Sequence, residues 1–407
     1  MKNDQGAPPR TITCSRPGAI TVTAGLLLLF LLAGAAVEEP KAVSPPDPPE
    51  ETEEKPVPTA GPPGPGAPAS PRWWRGNTHT HTLNSDGDSS PGEVAHWYRD
   101  HDYDFLVLSD HNYYTVIEEL QRELDRESER KPAKGRKPTR RLLLIPGEEV
   151  TDRFEKAEIH INAFGSLKLV GPRSGGSKNE VLQRNIDAIL AAGGVPSVNH
   201  PNFAWSLTAE DLAALSGLKH FEIYNGHPGV HNFGGGGSPS CEDLWDDLLS
   251  RGVRIFGVAV DDAHDFKNWS ARDSNPGKGW IMVRAPELST EAIRRAFESG
   301  DFYASTGVSL SGVRREGTSL EIEIEKDGNT RFTTFFIGAR GRVLQKETGL
   351  VSRHILRPEE AYVRVKVASS RGEYAWTQPF FIDPPPPGRR PGITESDASP
   401  SAGACNP

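Results

Sequence analysis

Residues 105–111 read FLVLSDH: four apolar residues, a serine, then an aspartate and a histidine. A run of this length reads as a buried strand. Asp110 and His111 fall where the strand must stop. The same arrangement recurs along the chain. Glu148 follows LLLIPG, His160 lies in EIHINAFG, and His200 follows GGVPSVN. Asp262 and His264 follow RIFGVAVD, and upstream His79, His81 and Asp86 sit in NTHTHTLNSDGD. Helical stretches separate these runs: Gly92–Arg99, Val116–Arg130, Glu180–Ala192, Ala209–Leu215 and Cys241–Ser250. Strands alternating with helices predict a parallel α/β architecture. Ligand-type side chains at the ends of successive strands are how a β/α barrel builds an active site on one face. Trp280–Val283 is expected to be a late barrel strand and Thr290–Ser299 a closing helix.

The donors are imidazole and carboxylate, with no cysteine among them. That mix suits Zn, Mn or Fe in a hydrolytic site with open positions. His79 and His81 are two apart, so on a strand both imidazoles share a face. Taken alone, such a pair is better explained by hydrogen-bonded histidines. The further stations at separate strand ends make a shared metal site the better reading. Asp110 has two readings, a partner that orients an imidazole and a turn residue at a strand end.

The chain has 407 residues and a net charge of −9. This is enough for one large barrel and a small second domain. No basic stripe suggests duplex nucleic acid as a partner. The run Lys131, Lys134, Arg136, Lys137, Arg140, Arg141 lacks interleaved aromatics, so it reads as a solvated loop rather than a single-strand platform. Three cysteines, Cys14, Cys241 and Cys405, do not make a disulfide framework.

Residues 1–37 are expected to be a signal peptide or an N-terminal membrane anchor. Ala19 to Val37 is almost uninterrupted apolar, with basic residues before it and Glu38-Glu39 after it. Either form places the rest of the chain outside the cytoplasm. Residues 38–71 hold seven acids and two lysines among many prolines, the composition of a disordered spacer. The barrel is expected over 72–306. Beyond it, Leu320–Glu325, Arg331–Ile337 and Tyr362–Ala368 alternate in period two without helices. These predict a small antiparallel β domain over 307–382. Residues 383–407 read as a second disordered tail.

Five segments carry a family resemblance: GNTHTHTLNSDGD (76–88), WYRDHDYDFLVLSDHN (97–112), VDDAH (260–264), NPGKGW (275–280) and DFYASTG (301–307). The pattern resembles the PHP superfamily, named for polymerase and histidinol phosphatase. Within it, the chain is most similar to the exported, carbaryl-hydrolase-like metallohydrolases. The resemblance implies a distorted (β/α)7 barrel with two to three divalent transition-metal ions. By position, His79, His81, Glu148 and Asp262 would hold one ion. Glu148 would bridge to a second with His160 and His200, and Asp86, His111 and His264 would hold a third. Glu148, Asp262 and His264 would then be catalytic.

The expected function is that of an exported phosphoesterase. Its substrates would be small phosphomonoesters or short nucleotides, attacked by a hydroxide shared between ions. Two alternatives stand beside it: a metal-dependent carboxylic or carbamate ester hydrolase, and a non-catalytic surface binding protein. Arg272 and Lys278 are the candidates for contacting an anionic substrate. His227 and His231, in the loop NGHPGVHNFGGGG, are candidates for a general acid or substrate contact, set against the reading of that loop as merely flexible.

Overall fold

The computed structural model describes residues 70–132 and 138–382. The apolar segment 19–37, the acidic proline-rich stretch up to residue 69, the tail 383–407 and part of the basic run lie outside the described residues. Among the described residues, no helix is long and apolar enough to cross a membrane.

The first half alternates strands and helices. In order these are Arg72–Asn77 (β1), Pro91–Asp100 (α1), Phe105–Val107 (β2), Glu118–Glu129 (α2), Leu143–Ile145 (β3), Glu149–Phe154 (β4) and Ala157–Phe164 (β5). Then come Lys178–Ala191 (α3), Val195–Val198 (β6), Ala209–Ala213 (α4), His220–Asn225 (β7), Cys241–Ser250 (α5), Phe256–Val260 (β8), Trp280–Ala285 (β9) and Thr290–Ser299 (α6). Helix starts are set locally. Ser90, Thr208 and Ser240 each accept a bond from the backbone N–H three residues on, and Glu93, Asp211 and Asp243 return it. These reciprocal caps satisfy amides that a helix start leaves unpaired. Helix α6 ends at Gly300, whose φ of 77° is the left-handed stop that glycine adopts freely.

Two sheets form the site's scaffold. In one, β1 pairs parallel with β2 and β2 parallel with β3, while β9 runs antiparallel to β1. In the other, β4, β5, β6, β7 and β8 lie in that order. Parallel bridges Thr80↔Ala263 and His111↔Glu149 join the two sheets at strand ends. Both bridges fall among the candidate ligands. Apolar side chains from both sheets and from α6 make one core, including Trp74, Phe105, Ile145, Phe164, Val195, Val258, Ile281 and Phe297. β1 and β2 meet closely at Gly76, where a Cβ would stand 2.2 Å from the Phe105 ring. A second core lies under α3 and α5, with Trp245, Leu248, Ile186 and Phe221 fully buried.

The mixed α/β class expected from the sequence is present, but the repeat of strand and helix is interrupted. β4–β5 and β5–β6 are antiparallel pairs. No helix separates β4 from β5, because only Glu155 and Lys156 connect them. A parallel crossover needs a dozen or more residues.

The remaining strands are Phe302–Ser305 (β10), Leu310–Glu316 (β11), Ser319–Ile324 (β12), Phe332–Gly338 (β13), Arg342–Thr348 (β14), Val351–Ile355 (β15), Tyr362–Ser369 (β16), Tyr374–Thr377 (β17) and Phe380–Phe381 (β18). They are antiparallel, as the period-two alternation predicts. Most extend the first sheet, through β9–β10–β17–β16–β13–β14, rather than standing apart. Only β11, β12 and β15 form a separate three-stranded sheet, and β18 pairs with β16. A buried charge cluster also ties this region to α5. Arg364 on β16 donates to both Asp246 oxygens, at 2.8 and 2.6 Å, and to Glu242 at 3.1 Å.

Candidate metal centre

The ends of β1, β2, β7 and β8, the start of β4, the middle of β5 and the loop after β6 converge on one cluster. His79 and His81 are wholly buried, and Asp262 and His200 nearly so. His79 Nε2 and His81 Nε2 lie 3.1 Å apart. Each is 3.1 Å from Glu149 Oε2 and 3.2 Å from Asp262 Oδ1. On the far side of the same carboxylate, Glu149 Oε1 lies 2.9 Å from His160 Nδ1 and 3.6 Å from His200 Nε2. On the outer edge, Asp86 faces His111 Nε2 at 3.5 Å and His264 Nε2 at 3.4 Å.

Potential ligand atoms fall into four overlapping groups, each within 4.8 Å: His81, Asp86, His111 and His264; His79, His200 and Asp262; His79, His81 and Glu149; His111, Glu149 and His160. Every histidine and aspartate that the sequence nominated as a ligand is therefore brought to this place. The division differs from the one the resemblance implied, because His81 also reaches the Asp86 group and His111 also reaches Glu149.

Glu148 is a correction. Its carboxylate is fully buried but accepts the backbone amides of Val170 and Gly171, at 2.7 and 2.9 Å. It holds a loop and belongs to none of the four groups. Glu149 occupies the shared position instead. The reason is strand parity: neighbouring residues point to opposite faces. Glu149 and Thr151 pair across the ladder with Asn162 and His160, so they lie on the face that carries the imidazoles. Glu148 has the opposite parity.

Supporting residues that the sequence reading missed fix these ligands. His79 Nδ1 donates to Glu222 Oε1 at 2.7 Å, leaving Nε2 for the cluster. Glu222 also accepts the His200 amide and the Asn225 side chain, both at 2.8 Å. Asn225 reaches on to Asp262 Oδ2 at 3.0 Å, and Asn199 donates to Glu149 Oε1 at 2.8 Å. A carboxylate behind an imidazole sets its tautomer and raises its basicity as a ligand. One signal for Glu222 was available, because a lone acid inside the buried strand HFEIY requires a partner. Asp262 adopts φ 50° and His200 φ 20°, strained conformations for residues other than glycine. Among the described residues, Asp110 makes no hydrogen bond or ion pair with an imidazole. It accepts Thr82 N, Thr82 Oγ1, Ser85 Oγ and Thr115 Oγ1, and so shapes the loop carrying Asp86.

The electrostatics are those of a site built for cations. Burial opposes ionisation of Glu149 and Asp262. The surrounding histidines outweigh it and hold both carboxyls well below the usual range. Burial likewise opposes a charged His79, but Asp262, Glu149 and Glu222 raise its pKa well above the ordinary value. Asp86 is also held far down, chiefly through His111 and His264 against a desolvation penalty.

The donor set fits metal ions. Ligands at about 2.0–2.2 Å from one ion stand roughly 3.0–3.5 Å from each other in tetrahedral or octahedral geometry. The 3.1–3.2 Å separations among His79, His81, Glu149 and Asp262 match that spacing. His160 Nδ1 is buried 2.9 Å from a Glu149 oxygen, yet its angles make no hydrogen bond. An imidazole nitrogen so placed lacks the partner that an ion would supply.

The proposed substrate contacts are less central. Lys278 Nζ donates to the carbonyls of Asp273 and Gly226, at 2.8 and 3.3 Å. Arg272 is exposed, and its backbone amide bonds Ser270. His231 is exposed and stacks on Trp205 with ring centroids 4.6 Å apart. His227 lies closer in, its ring 5.7 Å from that of His264.

No protein-family model and no curated protein matches the chain. Similar solved structures include a two-domain protein from Bacteroides vulgatus containing a predicted PHP-like metal-dependent phosphoesterase. It is 16% identical, with a TM-score of 0.41 over 73% of this chain and 90% of that one. Another is a candidate metal-dependent phosphoesterase from Bifidobacterium adolescentis, 18% identical, TM-score 0.34, covering 50% of this chain and 91% of that one. A third is an amidohydrolase from Chromobacterium violaceum with bound sulfate and no metal, 15% identical, TM-score 0.31, covering 49% and 93%. All three scores are low, so the functional reading rests on the site's own geometry.

Proposed function

We propose that this chain is a metal-dependent hydrolase of the PHP superfamily, built on a distorted (β/α)7 barrel and akin to its exported, carbaryl-hydrolase-like members. Its reaction is the hydrolysis of small phosphomonoesters or short nucleotides. The observation that carries this reading is the sharing of Glu149 between donor groups on both sides, His79 and His81 on one oxygen and His160 on the other. Overlapping groups joined by a carboxylate suit more than one ion. Divalent ions bound side by side supply activated water and a clamp for the charge on a phosphoryl group.

The chain's own residues prepare the site. Glu222 orients His79, the Asp262 carbonyl accepts from His264 Nδ1 at 2.9 Å, and Asn225 holds the Asp262 carboxylate. The ligands are thus fixed before a substrate arrives, which lowers the reorganisation the reaction needs. Asp86, with a side chain 55% exposed, marks the open side through which an anionic ester would enter. The apolar segment 19–37 supports export, with the catalytic region outside the cytoplasm or tethered to the membrane.

The test is a hydrolysis screen of the Mn, Zn and Fe forms against phosphomonoesters, phosphodiesters, nucleoside bisphosphates and aryl carbamates. Phosphomonoesters should be turned over best. Carbamate or carboxylic ester turnover without phosphatase activity would favour the ester-hydrolase alternative. Silence on every class would favour a binding protein.

A further inference from the structure

His227 lies in the turn that follows β7, beside the cluster but outside its ligand groups. Three backbone contacts lock it. Its amide donates to Asn225 Oδ1 at 2.8 Å, its carbonyl accepts from Val230 N at 3.1 Å, and its Nδ1 accepts from Gly229 N at 3.0 Å. The last bond decides the tautomer. A nitrogen that accepts from a backbone N–H carries no proton, so the proton of the neutral ring sits on Nε2. The Nε2–H is on the ring edge away from the Gly229 contact and has no hydrogen-bond partner among the described residues. The ring is half-buried, with its centroid 5.7 Å from that of His264. Phe203 stands beside it. The Phe203 ring lies 6.0 Å from His227, 5.2 Å from His200 and 6.5 Å from His160. A β-bridge between Phe203 and Val230 fixes the two loops to each other.

We propose that His227 donates a hydrogen bond from Nε2–H to the ester oxygen that departs, and that Phe203 is the apolar wall for the group attached to it. The preferred substrates are then phosphomonoesters of aryl or other apolar alcohols. This rests on the hydrolase reading above. In the step, the bond from phosphorus to the incoming water oxygen forms as the bond to the leaving oxygen breaks. The electron pair stays on the leaving oxygen, and the Nε2–H dipole holds that charge. The attacking water gives up one proton to solvent as its bond to phosphorus forms, and the leaving oxygen takes one from solvent, while His227 neither gains nor loses one. A neutral imidazole serving as a hydrogen-bond donor is an established electrophilic role.

The experiment compares wild type with His227→Phe, His227→Gln and Phe203→Ala, each with its metal content measured. A series of aryl phosphates from p-nitrophenyl to phenyl reads the leaving group. His227→Phe should keep its metals and lose on the order of 10²-fold in kcat on phenyl phosphate, with a much smaller loss on p-nitrophenyl phosphate. His227→Gln, which retains an N–H, should recover part of the loss. Phe203→Ala should bind phenylphosphonate about tenfold more weakly and methylphosphonate unchanged. Nitrogen-15 NMR of the histidines should show His227 as the Nε2–H tautomer in wild type. Equal losses across the series, or an Nδ1–H ring, would overturn the role of His227. Equal weakening of both phosphonates would overturn that of Phe203. Failure of wild type on every aryl phosphate is a different outcome. It would remove the phosphoesterase reading, and this proposal with it.

Discussion

Exchanging one carboxylate for an amide at two adjacent positions should have opposite consequences. Glu149→Gln removes the charge shared by His79, His81, His111 and His160, all within 3.1 Å of its oxygens. Losing even a residue that only supports a ligand costs about 10–100-fold in metal affinity, so losing a shared ligand should cost at least on the order of 10²-fold. Turnover should fall by roughly 10³-fold or more, since bound ions supply both nucleophile and charge stabilisation. The fold should persist, because the exchange is nearly isosteric. Glu148→Gln should instead keep its ions. It presents one amide group to the buried N–H groups of Val170 and Gly171, where two oxygens accepted before. One donor left unpaired costs about 1–3 kcal/mol. Metal affinity by chelator competition, together with urea unfolding of the metal-free forms, separates the two. If Glu148→Gln loses its ions while Glu149→Gln keeps them, strand parity has been misread and the site must be rebuilt around Glu148.

Three other outcomes are expected. His220 is buried against Phe297, and burial lowers its pKa to about 4 from an ordinary 6.5. The unfolded chain therefore binds this proton first, so stability falls as pH drops from about 6.5 to 4. The loss is on the order of 3 kcal/mol, and it should be absent in urea titrations of His220→Phe across that window. Asp246→Ala leaves the buried Arg364 guanidinium without its two-point partner and should cost about 3–5 kcal/mol in chemical unfolding. A reporter fused after Pro71 should be active only outside the cytoplasm, and cytoplasmic activity alone would contradict export.

Much of the site was legible because ligand chemistry and strand ends coincide in the sequence. FLVLSDH announces both a strand and its functional end, and His79 with His81 announces a shared face. The capped helices Cys241–Ser250 and Thr290–Ser299 are found at the expected bounds. What escaped was set by parity and by tertiary contact. Two consecutive glutamates look alike in sequence, and only pairing with β5 shows which one faces the imidazoles. Glu222 and Asn225 act through contacts with His79 and Asp262, which lie far from them in the chain. The antiparallel turn at Glu155 and Lys156 escaped because EVTDRF holds no apolar run, so β4 was not among the strands read from the sequence. Continuity of the C-terminal strands with β9 depends on β10 pairing, which alternation alone does not specify.

The central claim is that this buried cluster of imidazoles and carboxylates holds metal. Elemental analysis of purified wild-type protein, before and after reconstitution with Mn or Zn, tests it most directly. The account predicts at least two tightly held divalent ions per chain. Fewer than one ion per chain, unchanged by supplementation, would contradict it.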